Sequence, residues 1–148
     1  MLLCASTAFA AGGSSAASTP SMAERLAQAR KSVDGRDWRN ASYQLDQALR
    51  AEPKNPDVLN LLGYYNRKKP TPDLNLAFDF YKKALDIDPR HKGAHEYIGE
   101  AWLMAKQPEE AQKHLAALES ICGNRTCEEY QDLAQAIAQY QPAQQAGQ

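Results

Sequence analysis

The sequence predicts an all-α chain of helix pairs in series, closed by a single helix. Three observations predict it. Apolar residues recur at helical spacing over most of residues 21–140. Capping residues, prolines and glycines bracket segments of helix length. One pattern of small and bulky residues returns three times in the same register.

Residues 1–20, MLLCASTAFAAGGSSAASTP, contain no charged side chain and no helical period. The run from Met1 to Ala10 resembles the hydrophobic end of a signal peptide. Ala8-Phe9-Ala10 offers a small-x-small site, so cleavage is expected near 10/11, with export to the periplasm or beyond. A basic n-region is missing, which would place the true start upstream. A lipoprotein signal would need a small residue before Cys4, where Leu3 stands. Gly12 to Pro20 reads as a linker.

The first helix pair, about 22–55, opens on Ser21-Met22-Ala23-Glu24, a capping box. Leu26, Ala29, Arg30 and Val33 form a modest stripe. Asp34-Gly35-Arg36-Asp37 is a turn, and Trp38 opens the partner helix. The second pair, about 56–91, starts at Asn55-Pro56, an N-cap followed by proline where its missing N–H costs nothing. Its first helix is expected to run to about Arg67. Thr71-Pro72-Asp73 repeats the start signal, with Thr71 as cap. Leu74, Ala77, Phe78, Tyr81, Ala84 and Leu85 then share one face, and Pro89 ends it. The third pair, about 92–124, begins near Lys92, with His95, Ile98, Gly99 and Trp102 at packing positions. Gln107-Pro108-Glu109-Glu110 starts its second helix, and Cys122-Gly123 ends it, glycine being a natural stop. Thr126-Cys127-Glu128-Glu129 looks like another capping box. It opens a last helix, 127–140, with Tyr130, Leu133, Ala134 and Ile137 on one side. Residues 141–148 are expected to be a disordered tail.

Gly63 stands inside a helix, where glycine costs about 1 kcal/mol relative to alanine. Close helix packing is the expected compensation, with Ala77 and Ala84 permitting the approach. The same register recurs in Ala41, Leu45, Ala48 and Pro53 upstream, and in Ile98-Gly99, Ala111, Leu115 and Leu118 downstream. Leu59, Leu62, Gly63, Ala77, Tyr81, Ala84 and Pro89 together resemble the tetratricopeptide repeat pattern. Pro53 and Pro89 lie 36 residues apart, against a family period of about 34. The excess falls in the turn RKKPTP.

The resemblance implies a right-handed stack of three helix pairs with a polar-backed C-terminal capping helix. It implies a concave groove lined by the first helix of each pair. Carried over position by position, the groove takes Leu26, Arg30 and Val33 from the first pair. Asp57, Asn60, Tyr64, Arg67 and Lys68 come from the second. Glu96, Glu100, Leu103 and Met104 come from the third. Asn60, Tyr64, Arg67, Glu96 and Glu100 are the expected partner-binding residues, on a face directed away from Leu62, Phe78 and Tyr81. One subclass of the family clamps a partner's C-terminal carboxylate with lysines and an arginine. Leu26, Gly93 and Tyr97 stand at those places here, so that ligand is not expected. The CGNRTCEEYQDLAQAI segment also resembles the end of small exported bacterial members.

Cys122 and Cys127 flank one tight turn, and loss of Cys4 with a signal peptide would leave an even pair. A structural disulfide is expected. Free structural thiols are one alternative and a redox or metal role another, although C-x4-C lacks the strand–helix context of a thioredoxin motif. His91 and His95, four apart, could share a face with Glu96 as a metal site. The competing reading puts His91 in the turn after Pro89 and His95 in packing, and it carries more weight, so no metal is expected. His114 is expected to be solvated.

Charge is balanced, with 17 Lys and Arg against 18 Asp and Glu, which argues against a nucleic-acid partner. No apolar run is long enough to span a bilayer. No phosphate loop, nucleophile elbow or catalytic carboxylate pair is present in the sequence, so no catalytic residue and no cofactor is expected. The expected function is a non-catalytic scaffold of the bacterial envelope, a monomer or weak oligomer holding a protein or peptide in its groove. The alternative is a structural or oligomerisation subunit of an envelope assembly.

Overall fold

A computed structural model describes residues 19–140. The expected signal peptide and its cleavage site, and the tail at 141–148, lie outside the described residues. Among these residues there are seven helices and no strand. They are α1 (Met22–Asp34), α2 (Trp38–Ala51), α3 (Pro56–Lys68), α4 (Leu74–Ile87), α5 (Lys92–Met104), α6 (Pro108–Cys122) and α7 (Glu128–Gln139). None is long and apolar enough to cross a membrane.

Local chemistry sets most helix starts. The Ser21 hydroxyl accepts from the Glu24 N–H, while the Glu24 carboxylate accepts from the Ser21 N–H at 2.7 Å, closing the capping box. The Asn55 side chain accepts from the N–H groups of Asp57 and Val58. Two starts differ from the sequence expectation. Asp73, not Thr71, caps α4, taking the Leu76 N–H at 3.0 Å. Cys127 is the N-cap of α7 and makes no side-chain capping bond. The Thr126 hydroxyl and N–H instead both donate to Asn124 Oδ1 at 2.8 Å. At α4 a nearer carboxylate supplies the capping bond, whereas at α7 the Asn124 turn engages the Thr126 hydroxyl and no side chain caps the helix.

The three pairs close their turns with a common hydrogen bond. The N–H of Asp37 reaches Ser32 O, that of Asp73 reaches Asn66 O, and that of Gln107 reaches Trp102 O, at 2.8, 2.9 and 2.9 Å. The first and third turns are also alike in holding a non-glycine residue at positive φ, Arg36 at 60° and Lys106 at 61°. The middle turn spans two more residues between the bonded groups, which is where the sequence carries its excess. Gly123 ends α6 in the left-handed conformation, φ 71°.

Helices pack within pairs, α1 on α2, α3 on α4 and α5 on α6. The first helices of successive pairs also meet, α1 with α3 and α3 with α5, and α7 continues this row against α5 and α6. Most of the recurring positions are dry. Ala41, Ala48, Ala77, Tyr81, Ala84, Ala111 and Leu118 are fully buried. Leu115, at the position matching Tyr81, is only half-buried. Leu133 of α7 is fully buried against Gly99, where a Cβ would come within 2.6 Å of its Cδ2. Aromatic rings join the pairs: Trp38 meets Tyr65 edge-on at 6.3 Å, and Phe78 packs on Trp102 at 4.2 Å.

Beyond α6, the sulfurs of Cys122 and Cys127 lie 2.09 Å apart, at disulfide distance. The pair fastens the end of α6 to the start of α7. Arg125 to Glu119 and Lys92 to Glu129 add exposed ion pairs around this end, of small energetic weight in water.

Candidate functional site

The row α1, α3, α5 and α7 shares a polar cavity of about 260 Å³. Arg30 of α1, Tyr64, Arg67 and Lys68 of α3, and Tyr97 of α5 form one side. Glu96 and Glu100 of α5, with Glu128 and Asp132 of α7, form the other.

Two tyrosines make its floor. The Tyr64 and Tyr97 rings lie 4.8 Å apart. The Arg30 guanidinium sits 5.3 Å from both ring centres, and that of Arg67 sits 5.5 and 5.6 Å from them. Lys68 Nζ lies 5.8 Å from the Tyr64 ring. These cations over π-faces fix the rings in place. The Tyr64 hydroxyl donates to Asp34 Oδ1 at 2.6 Å. Burial, and that bond to a carboxylate, hold the Tyr64 phenol above its ordinary range. Arg67 is buried, with Nε donating to the Tyr81 hydroxyl at 3.4 Å and its guanidinium paired with Glu100.

Glu96 is the electrostatic exception. It is 9 % exposed and has no hydrogen-bonding or salt-bridge partner among the described residues. Burial, then the carboxylates of Glu100, Asp132 and Glu129, push its pKa up to about 8, against the pull of Arg30. Nearby on α3, Asn60 is 6 % exposed and its Oδ1 is buried without a donor.

The sequence-derived residues thus sit close together, but their surroundings differ from expectation. Asn60, Tyr64, Arg67 and Glu96 are buried, and Glu100 is partly exposed at 27 % through its side chain. Arg67 does not point away from Tyr81, since it bonds to it. The reason is the central place of α3. It has α1 and α5 beside it and α2 and α4 behind it, so polar positions that look like a solvent face are covered. Of the carried-over α3 positions, Asp57 and Lys68 remain exposed. Tyr97, Asp132 and Glu128 were not among the expected binding residues. The weak signal for α7 was that a helix continuing the row must bring its own polar residues to the groove.

The histidines divide differently from the metal arrangement considered for them. His91 is the N-cap of α5. Its Nδ1 accepts from the Ala94 N–H at 3.0 Å, so Nε2 carries the proton and donates to Asp57 at 2.9 Å. His95 Nε2 donates to the Pro89 carbonyl at 3.0 Å, and its Nδ1 lies 2.9 Å from His114 Nδ1. His114 is therefore half-buried against His95 and not solvated. Burial, then the charge of His95, push it down to about 4. Among the described residues the Cys122, Cys127 and Glu129 group could be compared with a metal site, but its sulfurs are joined to each other.

A larger hollow of about 830 Å³ lies beside the 69–75 connection, bordered by Trp38, Tyr65, Pro70 and Pro72. Its carboxylate, Asp73, is engaged as the cap of α4. The polar groups converge at the smaller cavity. No protein-family model matches the chain, and no curated protein matches it either.

Proposed function

We propose that the chain is a tetratricopeptide-type scaffold, right-handed in its stacking, that holds a peptide or protein partner along the α1–α3–α5–α7 face. It performs no catalysis. The observation that carries this reading is the cavity on that face. Charged groups from four helices converge there on a rigid aromatic floor. Tyrosine and arginine concentrate binding energy at interfaces. Three turns closed by the same backbone bond support the repeat assignment. The Cys122–Cys127 pair supports work in an oxidising compartment, which for a bacterial chain is the envelope or the exterior.

The test is capture of partners from an envelope fraction with wild-type chain and with an Arg30→Glu, Lys68→Glu double variant. Both side chains are exposed but lie over the tyrosine rings, so a small fall in melting temperature is expected and capture is carried out well below it. A partner retained by the wild type and lost by the variant supports the reading. A partner indifferent to both changes places binding elsewhere, and self-association on sizing would favour a structural subunit.

A further inference from the structure

The α5–α7 half of the cavity is short of donors and of positive charge. One residue there, Glu96, is 9 % exposed and has no hydrogen-bond or ion-pair partner among the described residues, and close by on α3 the Asn60 Oδ1 is a buried acceptor without a donor. Glu96 lines the cavity itself. Asn60 packs where α5 begins, since a Cβ on Gly93 would lie 3.0 Å from its Nδ2, and Glu96 follows Gly93 by about one turn.

The groups facing Glu96 come from four helices. Arg30 of α1 and Lys68 of α3 lie over tyrosine rings. Arg67 of α3 is paired with Glu100. Lys92 of α5 lies 3.7 Å from Glu129. Tyr64 donates to Asp34, and Tyr97 stacks on Tyr64. Glu128, Glu129 and Asp132 of α7 add only negative charge. No cation among the described residues is ion-paired with Glu96, Arg30 acting on it only through space. Burying an unpaired carboxylate is costly, so in the free chain the carboxyl is held toward its protonated form.

Resting on the groove reading above, we propose that this cavity receives the side-chain ammonium of a lysine from the bound partner, held by Glu96 with Asp132 and Glu128 at the rim. Lysine fits better than arginine. Its charge is compact and carries three donors on a slender stem. A guanidinium would gain from stacking, but Arg30 and Arg67 already lie against the Tyr64 and Tyr97 rings. At about 260 Å³ the cavity is smaller than the roughly 300–1,000 Å³ of drug-sized ligand sites, as suits one side chain.

The proposal has a calorimetric signature. With its pKa up at about 8, Glu96 is mostly protonated at pH 7 in the free chain. An arriving ammonium favours the carboxylate, so binding expels that proton. The experiment titrates the full chain at pH 7, in two buffers of different ionisation heat, with an acetylated and amidated tripeptide containing one lysine. Its Nε-acetyl-lysine counterpart serves as control. The expected result is release of close to one proton on binding the lysine peptide, and affinity at least about tenfold weaker for the acetylated peptide. Glu96→Gln should weaken the lysine peptide by a similar factor and abolish the proton release. Should that variant fail to fold, Asp132→Asn, at an exposed position, should weaken the lysine peptide several-fold and leave the control unchanged. Equal binding of the two peptides overturns the lysine assignment while leaving the groove a peptide site. No binding of the lysine peptide at millimolar concentration also overturns it, and partner capture then decides the groove reading separately.

Discussion

A Cβ placed on Gly63 of α3 would lie 2.4 Å from Cε1 of Tyr81 on α4, with two further ring atoms within 2.8 Å. The Tyr81 ring is fully buried and its hydroxyl is engaged by Arg67, so it has no room to retreat. This contact explains a glycine in the middle of a helix. Gly63→Ala gains about 1 kcal/mol of helix propensity, but overpacking of this kind costs about 1–3 kcal/mol. These leave a net loss of up to about 2 kcal/mol. The close approach to a ring that cannot retreat places Gly63→Ala toward the upper end, read as a lower urea midpoint at unchanged slope. An unchanged or higher midpoint would mean that the helices part without cost.

Arg67 and Tyr64 are expected to act on stability as well as on binding. Arg67→Ala leaves Glu100 and the Tyr81 hydroxyl without their partner. Breaking a buried pair costs about 3–5 kcal/mol, and the partial exposure of Glu100 reduces this to about 2–4 kcal/mol. Tyr64→Phe removes only the bond to Asp34 and should cost about 1 kcal/mol. Thermal melts of the two variants check the ranking. A melting temperature for Arg67→Ala equal to wild type would show the guanidinium to be dispensable to the fold.

The cysteine pair closes a loop of sequence separation 5. Chain-entropy reasoning assigns so short a loop about 2 kcal/mol. Cys122→Ala should cost that much or less, concentrated in fraying of α7. Alkylation without reductant should leave Cys122 and Cys127 unlabelled in mass spectra, with both labelled after reduction. Full labelling before reduction would refute the bond.

His114 makes stability sensitive to acid. Its folded pKa, about 4, lies below the ordinary 6.5. Between these values the unfolded chain binds more protons, so stability rises with pH through that window. The contribution of the neutral ring is complete above pH 6.5 and declines as pH falls toward 4. Glu96 has the opposite sign. Its folded pKa of about 8 exceeds the ordinary 4.5, so it lowers stability as pH rises from 4.5 to 8. Comparing wild type with His114→Gln cancels the Glu96 effect. The stability difference between them should be flat above pH 6.5 and should shift against the wild type below it, in denaturant midpoints taken at intervals of about one pH unit. A difference flat down to pH 4 would show His114 to be freely solvated.

The sequence by itself determined the helices, their order and the residues that lock them. Caps, prolines and glycines act within a few residues of where they stand, so Ser21, Asn55 and Gly123 could be recognised without a fold. The small residues Ala77, Ala84 and Gly63 announced close packing because a helix gains nothing else from Gly63. The cysteine pairing was legible for the same local reason. Only the tertiary structure decided which polar residues meet water. Asn60, Tyr64 and Arg67 occupy one side of α3, and periodicity alone marks that side as exposed. Burial there depends on α1 and α5, whose residues lie far along the chain, closing over it. The charge state of Glu96 is likewise collective. It arises first from burial and then from the carboxylates of Glu100, Asp132 and Glu129, which α5 and α7 bring together, against the pull of Arg30. His114 meets His95 across a helix pair at a separation that no local rule foresees. Local interactions write secondary structure into short windows of sequence, whereas burial and electrostatics are sums over neighbours that only the packed chain supplies.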